Sequence, residues 1–274
     1  MRDDAASRSY VLACTPRVGS HLLADALTST RIAGCPKEWL PRFAADAAPL
    51  TPRDRLRLVT QPPSQETYDA AIDGAYVKKV LASGTSENGV FGIVIHWFVL
   101  QDAVRRLGAF FETSESAPHR VLSSAFPNLS YLWLRRRDRI AQAVSWYTAI
   151  QTGTYVGRHA RTDAHEQERV GFDYAQIRYL LSALTAFENG WASFFAASGV
   201  KPLVIHYEEL SAQYVAAIRS VLDFLQLDAA GADIAPPKRE KYADARSREW
   251  IERFKREHRE AGHEAHRRAG QHAP

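Results

Sequence analysis

Short apolar runs alternate with amphipathic segments along most of the chain. The runs at residues 10–13, 131–134 and 202–207 have the length of buried strands. A longer run, residues 89–100, predicts a buried strand that leads into a helix continuing through residues 101–104. Strands that alternate with helices are typical of a parallel sheet with right-handed crossovers. The pattern therefore predicts an α/β fold with a central parallel sheet flanked by helices.

Apolar residues at intervals of three and four mark the segments between the strands. The predicted helices cover residues 22–27, 68–82, 140–151, 172–197, 211–225 and 244–272. Residues 34–57, rich in proline and charge, predict a long and partly ordered excursion, and residues 154–169 predict a polar loop. No repeat or linker interrupts the pattern. The sequence therefore predicts a single domain over residues 1–274, with a C-terminal tail that could fray from about residue 256.

The composition is that of an ordinary globular protein. With 274 residues and 46% hydrophobic content the chain can bury one sizeable core, and 24% charged residues argue against wholesale disorder. Its 35 lysines and arginines exceed its 31 aspartates and glutamates, which gives a formal net charge of +4. This mild excess fits an anionic small-molecule partner but is too diffuse to indicate nucleic acid.

Cysteine, histidine and hydropathy patterns argue against several classes of protein. Cys14 and Cys35 do not make a disulfide framework. The longest apolar run, residues 90–100, is too short to span a bilayer, and no apolar leader precedes it. His263 and His266 are one residue short of the HExxH spacing of a zinc site. We therefore expect a cytoplasmic protein with no membrane span and no metal.

The segment between the first strand and the first helix carries the first candidate chemistry; it is CTPRVGSH, residues 14–21. Backbone N–H groups at a helix N-terminus form a natural anion site, where Gly19 allows close approach, Ser20 can donate its hydroxyl and Arg17 supplies charge. The segment lacks the lysine of the GxxxxGKS or GxxxxGKT loop and is not GxGxxG, so ATP hydrolysis and NAD binding are poor fits. By itself it fits an ordinary strand-to-helix turn capped by Ser20 equally well.

A second segment, residues 134–147 (LRRRDRIAQAVSWY), follows a strand with arginines and places Ser145 deep in the next helix. It resembles the stretch in sulfotransferases where an arginine and a downstream serine hold the 3′-phosphate of 3′-phosphoadenosine 5′-phosphosulfate (PAPS). The likeness recurs in five segments: TPRVGSHLL at residues 15–23, AGCPKEW at 33–39, QAVSWYTAIQTGTYVGR at 142–158, ENGW at 188–191 and RSREWIERF at 246–254. The chain is similar to the bacterial trehalose 2-sulfotransferase-like family of PAPS-dependent sulfotransferases.

The resemblance implies a P-loop-like fold with three layers around a central parallel sheet. It also implies a set of donor-binding residues. Those around the 5′-phosphosulfate are Arg17, Gly19, Ser20 and His21. Those at the 3′-phosphate are Arg136 and Ser145, with Arg137 as the alternative arginine because the two registers differ by one residue. Without the resemblance, the arginine run would equally fit a solvated charge cluster.

Glu38, in the segment PKEW, falls where this family carries a carboxylate base. The implied reaction moves a sulfuryl group to a hydroxyl of a carbohydrate or another small polar acceptor. The base takes the hydroxyl proton as the oxygen attacks sulfur. Taken alone, this glutamate fits a surface position better than a base, and the surrounding AGCPKEW segment favours the base. The sequence does not name the acceptor, and the family resemblance allows a homodimer.

The chain departs from the family pattern at three positions. Val18 and His21 stand where the family usually carries serine and threonine beside the loop glycine. Val94, in GIVIHW, stands where the family's GxKxxW segment carries a lysine that would stabilise charge on the bridging oxygen. His96 lies two residues further on the same strand face and could act there as an acid or a cation. A histidine satisfied within the core fits the same pattern.

Three functional hypotheses follow from these residues. The first is a PAPS-dependent sulfotransferase that acts on a small-molecule hydroxyl. The second, favoured by Val94, is a non-catalytic nucleotide-binding relative that kept the fold and lost turnover. The third is a P-loop kinase, which is opposed by the missing lysine after Gly19 and by the lack of an apolar run ending in aspartate.

Overall fold

The computed structural model describes residues 6–40, 51–60, 74–153, 170–237 and 245–270. The chain forms two compact units. The first comprises Met1–Arg137 and Ala186–Arg239, and the second comprises Asp138–Thr185 and Glu240–Pro274. The single domain expected from the sequence stays a prediction.

The first unit is built on a parallel sheet. Its described strands are β1 (Arg8–Cys14), β2 (Val90–His96), β3 (Leu129–Arg135) and β4 (Leu203–His206). Their order across the sheet is β2–β1–β3–β4, and each neighbouring pair is parallel. In β1 every residue from Tyr10 to Cys14 is fully buried. A continuous apolar run is typical of a parallel strand covered on both faces, and the predicted central parallel sheet is confirmed.

Helices connect these strands. They are α1 (Ser20–Ser29), α2 (Pro52–Thr60), α3 (Gly74–Gly84), α4 (Trp97–Phe110), α5 (Pro118–Ala125), α6 (Arg139–Thr152), α7 (Tyr174–Ser198), α8 (Tyr207–Ala212), α9 (Tyr214–Phe224) and α10 (Ala245–Gly270). By residue range α6 and α10 belong to the second unit, and α7 contributes residues to both units.

The core of the first unit lies on both faces of its sheet. Successive residues of a strand point to opposite faces. Val11 therefore belongs to a buried cluster with Leu100 of α4, whereas Leu12 belongs to another with Leu27 of α1 and Leu222 of α9. Helices cover both faces of the sheet, which confirms the predicted α/β class.

In the second unit, α6 and α10 pack together around aromatic side chains. The ring centroid of Trp250 lies 5.8 Å from that of Tyr147, and Phe254 stacks on Tyr174 at 5.1 Å. Trp250 and Phe254 are large apolar side chains in the mostly charged C-terminal helix, and both are buried. They hold α10 against the other elements of its unit.

One predicted helix, residues 211–225, is two helices in the structure. Gln213 separates α8 from α9 because its backbone leaves the helical region, with φ −126° and ψ 50°. Its N–H donates to the carbonyl of Glu209 at 2.8 Å, and its carbonyl accepts from Ala217 at 2.9 Å, so it ends one helix and begins the next. One non-helical residue between two helical segments leaves the apolar periodicity unchanged. The prediction of one continuous helix is therefore wrong.

Some predictions fall wholly or partly outside the described residues, among them both ends of the helix predicted over residues 244–272. The polar loop at residues 154–169 lies wholly outside them. Of the helix predicted over residues 68–82, the described part is α3, which begins at Gly74. Of the excursion predicted over residues 34–57, the structure describes the part before residue 41 and the helix α2 from Pro52.

Candidate active site

The turn between β1 and α1 places two residues in the left-handed region of the backbone. Arg17 has φ 62° and Gly19, the residue from which α1 begins, has φ 97°. Val18 between them is fully buried, so its side chain supplies packing and no hydrogen-bond donor, and Ser20 is also buried. A turn of this kind presents the first N–H groups of the helix as a partial positive charge, which suits an anion.

Tyr207, the first residue of α8, packs against this turn. A Cβ atom at residue 19 would lie 2.6 Å from Cδ2 of Tyr207, which is closer than real side chains approach. Gly19 is therefore required both by its positive φ and by the tyrosine ring. The sequence offered one signal for Tyr207: it is the last residue of the predicted strand over residues 202–207, and the C-terminal ends of parallel strands meet at one edge of a sheet.

Arg136 lies between Tyr207 and the turn. Its guanidinium carbon is 4.7 Å from the centroid of the Tyr207 ring, and its Nη1 donates to the carbonyl of Arg17 at 3.2 Å. Its Nε is buried and has no hydrogen-bond partner among the described residues. A fixed cation with an unsatisfied N–H beside a helix N-terminus fits an anionic group such as a phosphate.

Arg137 is directed elsewhere. Its backbone N–H donates to Oε1 of Glu208 at 3.0 Å, and its guanidinium pairs with the carboxylate of Glu209. Both side chains of that pair are exposed. Of the two arginines that the sequence left open, Arg136 faces the turn and Arg137 forms a surface ion pair.

The segment that carries Glu38 runs beside β2. The N–H of Val94 donates to the carbonyl of Lys37 at 2.9 Å, and the N–H of Cys35 donates to the carbonyl of Gly84 at 2.9 Å. The bond to Val94 and a parallel bridge between Lys37 and Ile93 bring Glu38 to the C-terminal end of β2, whereas the bond to Gly84 ties the segment to the end of α3. The strand ends there with His96.

Glu38, His96 and His21 form one cluster. Nε2 of His96 lies 3.0 Å from Oε1 of Glu38, and Nε2 of His21 lies 3.7 Å from the same oxygen. His96 is buried, whereas 47% of the Glu38 side chain and 41% of the His21 side chain are exposed. The carboxylate of Glu38 is therefore open to a ligand on one side and contacts the buried His96 on the other. Sγ of Cys14 lies 3.4 Å from Nδ1 of His96.

In this cluster, opposite charges and hydrogen bonds together change the pKa values of Glu38 and His96 more than burial does. Burial raises the pKa of Glu38, but the charge and hydrogen bond of His96, helped by His21, lower it to about 2. Burial lowers the pKa of His96, but Cys14 and the Glu38 carboxylate raise it well above the ordinary value of 6.5. At neutral pH the pair is therefore a carboxylate and an imidazolium. Because half of the Glu38 side chain is exposed, solvent screens part of this attraction.

Val94 supplies no charge to this site. Its side chain is buried and belongs to the apolar cluster on the same face of the sheet as Leu12. His96, two residues on, is the nearest position on that face of β2 that carries an ionisable side chain. Strand β2 thus ends with an imidazolium and carries a valine at the position where a lysine was expected.

Ser145 lies in the second unit, half-buried on α6. That helix begins after Asp138, whose Oδ1 accepts from the N–H of Ala141 at 2.8 Å, a standard N-terminal cap. The capped start explains why the arginine run ends and a helix begins at this point. The role of Ser145 at a phosphate stays a prediction.

The described residues contain no cluster of three or more histidine, cysteine, aspartate or glutamate side chains that could hold a metal ion. No helix among them is both long enough and apolar enough to cross a bilayer.

The sequence matches a family profile described as Stf0 sulphotransferase over residues 9–257. It is 29% identical over 262 residues to a trehalose 2-sulfotransferase of Mycobacterium tuberculosis, which covers 92% of this chain and 96% of that protein. A trehalose 2-sulfotransferase of Mycolicibacterium smegmatis is 28% identical over 264 residues, which covers 91% of this chain and 95% of that protein.

Two solved structures are also similar. A sulfotransferase from Alicyclobacillus acidocaldarius has a TM-score of 0.47 at 14% identity, over 91% of this chain and 92% of that chain. The sulfotransferase STF9 from Mycobacterium avium has a TM-score of 0.42 at 11% identity, over 93% of this chain and 69% of that chain. At these scores neither adds to the fold assignment, which rests on the parallel sheet. Since the family profile spans nearly the whole sequence, the chain belongs to the Stf0 sulphotransferase family.

Proposed function

We propose that this sulfotransferase moves the sulfuryl group of PAPS to a hydroxyl of a carbohydrate or another small polar acceptor, with Glu38 as general base. The acceptor oxygen bonds to sulfur, the bond from sulfur to the bridging oxygen of the donor breaks, and adenosine 3′,5′-bisphosphate leaves. The hydroxyl proton passes to the Glu38 carboxylate. The observation that carries the proposal is the open Glu38 carboxylate, 3.0 Å from His96 and 3.7 Å from His21 at the start of α1.

The donor has two anionic ends, and two cationic features support its binding. Residues 17–21 combine a helix N-terminus with an arginine and a histidine, which suits the 5′-phosphosulfate. Arg136, with its unsatisfied Nε, suits the 3′-phosphate. Ser145 as a second group at the 3′-phosphate rests on the family resemblance alone.

Glu38 is a weak base at rest, since its pKa is lowered to about 2. A base is most effective when its pKa lies near the working pH. An alcohol oxygen, however, becomes strongly acidic as it bonds to sulfur, so a weak base can take its proton late in the transfer. The low pKa also ensures that the carboxylate is ionised and ready at every physiological pH.

His96 is proposed to supply the positive charge that Val94 lacks. It is buried, it donates through Nε2 to Glu38, and its raised pKa keeps it protonated. An imidazolium close to the transferring group stabilises negative charge that develops there, as a lysine would. The buried position favours this role because a charge acts more strongly where water is excluded.

Carbohydrate is the acceptor class we propose, because both similar mycobacterial proteins are named trehalose 2-sulfotransferase. Trehalose is therefore the first acceptor to test, followed by other disaccharides and monosaccharides. Cytoplasmic location and a homodimer stay predictions.

Two measurements, made one after the other, test the proposal. The protein is titrated with adenosine 3′,5′-bisphosphate by calorimetry, and PAPS consumption is then measured with a panel of sugars that begins with trehalose. We expect saturable nucleotide binding and acceptor-dependent consumption of PAPS. Absence of nucleotide binding would contradict the proposal outright.

A non-catalytic nucleotide-binding relative is the second candidate, and the buried, uncharged Val94 favours it. It predicts the same nucleotide binding without PAPS consumption for any acceptor. Transfer by the wild-type protein excludes it.

A further inference from the structure

His21 departs from the family pattern and lies beside the carboxylate that the proposed function uses as base. It is the second residue of α1, directly after the turn proposed to bind the 5′-phosphosulfate. Its Nε2 lies 3.7 Å from Oε1 of Glu38, and 41% of its side chain is exposed. The imidazole therefore lies between the turn and the carboxylate, where a ligand can reach it.

The imidazole of His21 lies on the β2 side of the turn. In a helix the Cα–Cβ bond is tilted towards the N-terminus, so the side chain of the second residue extends over the helix start. Its contact with Glu38 places it near the end of β2, whereas Arg136 follows β3. Strand β1 lies between β2 and β3 in the sheet, so His21 and Arg136 flank the turn after β1 from opposite sides.

This arrangement gives the bound donor a direction. Arg136 suits the 3′-phosphate, and Glu38 must lie where the acceptor oxygen attacks sulfur. The sulfuryl group therefore belongs on the β2 side of the turn, where His21 lies 3.7 Å from the carboxylate. Two side chains this close can contact one reacting group together, as a base and a hydrogen-bond donor must.

We propose that His21 is a catalytic residue: its imidazole donates a hydrogen bond to a non-bridging oxygen of the sulfuryl group of PAPS while Glu38 takes the proton of the acceptor hydroxyl. The proposal rests on the proposed function for the donor and for the role of Glu38. The acceptor oxygen bonds to sulfur, the bond from sulfur to the bridging oxygen breaks, and the acceptor proton passes to Glu38. His21 keeps its own proton, forms no covalent bond, and holds the sulfur in line with the attacking oxygen.

Histidine suits this role better than the threonine that the family usually carries at this position. The hydroxyl of threonine is bonded to Cβ and stays beside the helix start, whereas the far nitrogen of His21 reaches the neighbourhood of Glu38. An imidazole carries an N–H donor in its neutral and in its charged form, so it can bind a sulfuryl oxygen in both. The longer side chain thus extends the anion-binding turn towards the base.

Val94, another departure from the family pattern, lies on the face of the sheet that α1 covers. It belongs to the same buried cluster as Leu27 of α1, so the expected lysine is missing next to the helix that begins with His21. His96 also lies on this face, but it is buried and contacts Glu38. Of the two imidazoles, His21 is therefore the one that a bound sulfuryl group can touch more readily.

The test compares two nucleotides that differ only in the sulfuryl group. Calorimetry on the full chain gives the affinities for PAPS without acceptor and for adenosine 3′,5′-bisphosphate. His21→Thr introduces the family residue, and His21→Gln keeps an N–H donor. We expect PAPS affinity to fall about tenfold in His21→Thr and less in His21→Gln, with affinity for adenosine 3′,5′-bisphosphate within about twofold of the wild type in both.

His119→Gln is the matched control, because His119 lies on α5 beside Phe194 of the core, and it should leave both affinities unchanged. Equal losses for the two nucleotides in His21→Thr would assign His21 to the 5′-phosphate and overturn the proposal, and so would no loss for either. These results leave the proposed function intact, because it is judged by the wild type. A wild type that binds neither nucleotide contradicts the proposed function and this proposal with it.

Kinetics give a second measurement if the wild type transfers the sulfuryl group. We expect kcat of His21→Thr to fall by about tenfold or more. The unfolding midpoint should stay near that of the wild type, because the side chain is 41% exposed. An unchanged kcat counts against the proposal. If the wild type binds PAPS without transfer, the comparison of the two nucleotides still decides whether His21 contacts the sulfuryl group.

Discussion

The guanidinium of Arg136 lies 4.7 Å from the ring centroid of Tyr207, and the same ring leaves no room for a side chain on Gly19. One aromatic residue thus fixes both the turn that begins α1 and the cation beside it. The ends of three parallel strands meet here, since the turn follows β1, Arg136 follows β3 and Tyr207 follows β4. This is the edge of a parallel sheet where ligands are ordinarily bound.

Gly19→Ala should disrupt this arrangement. The added methyl group meets Tyr207 at 2.6 Å and must also adopt a φ near 97°, which alone costs about 1–2 kcal/mol. We expect a lower unfolding midpoint and loss of most of the affinity for adenosine 3′,5′-bisphosphate. Gly199→Ala is the matched control, because Gly199 also has positive φ, at 68°, but open space around it. Equal loss of nucleotide affinity in both variants would contradict the role of the Tyr207 contact.

Arg136 and Arg137 should behave differently towards nucleotide. Arg136→Ala removes a half-buried cation whose Nε–H has no hydrogen-bond partner among the described residues, and we expect affinity for adenosine 3′,5′-bisphosphate to fall about 10- to 100-fold. Arg137→Ala removes an exposed ion pair with Glu209 and should change that affinity by less than about threefold. Calorimetry on the two variants checks this. A larger loss of affinity in Arg137→Ala than in Arg136→Ala would assign the 3′-phosphate to Arg137.

His96→Gln should slow sulfuryl transfer and leave nucleotide binding nearly unchanged. Glutamine can still donate a hydrogen bond to Glu38, but it carries no charge. We expect affinity for adenosine 3′,5′-bisphosphate to stay within about threefold, and kcat to fall by about tenfold or more because charge stabilisation at the transferring group is lost. Steady-state kinetics with PAPS checks this. Unchanged turnover would show that His96 is a satisfied core residue.

The Glu38–His96 pair should make stability depend on pH in two windows. The pKa of Glu38 is lowered from 4.5 to about 2, so its contribution to the free energy of unfolding is present above pH 4.5 and is lost as pH falls through about 2. The pKa of His96 is raised, so its contribution to the free energy of unfolding is present below pH 6.5 and is lost as pH rises through the raised pKa. The difference in unfolding free energy between wild type and Glu38→Gln should therefore be largest between these limits. Urea unfolding over a pH series measures it, and a difference independent of pH would contradict the pairing.

The sequence predicted the parts of this site that are local. The strand–turn–helix around Gly19, the central parallel sheet and the family were all predicted from short motifs, and the sheet and the family are confirmed. Apolar runs and turn residues report such features because each is set by neighbours in the chain. The site roles taken from the family resemblance, Ser145 among them, stay predictions.

The contacts of Tyr207 and Cys14 could not be predicted in the same way. Tyr207 reaches Gly19 from the start of α8, directly after β4, and Cys14 meets His96 only through the register of β1 on β2. Both depend on which strands are neighbours and how they align, which periodicity does not encode. The same limit explains why Arg136 and Arg137 were left open: the choice is made by Glu208 and Glu209, 71 and 72 residues further along the chain.

Glu38→Gln tests the central claim most directly. Glutamine keeps the size of the side chain and a hydrogen-bonding oxygen near His96 but cannot accept the hydroxyl proton. With PAPS and an acceptor that the wild type uses, we expect the rate of sulfuryl transfer to fall by about 100-fold or more, while adenosine 3′,5′-bisphosphate binds with unchanged affinity. A variant that transfers at the wild-type rate would show that Glu38 is not the base.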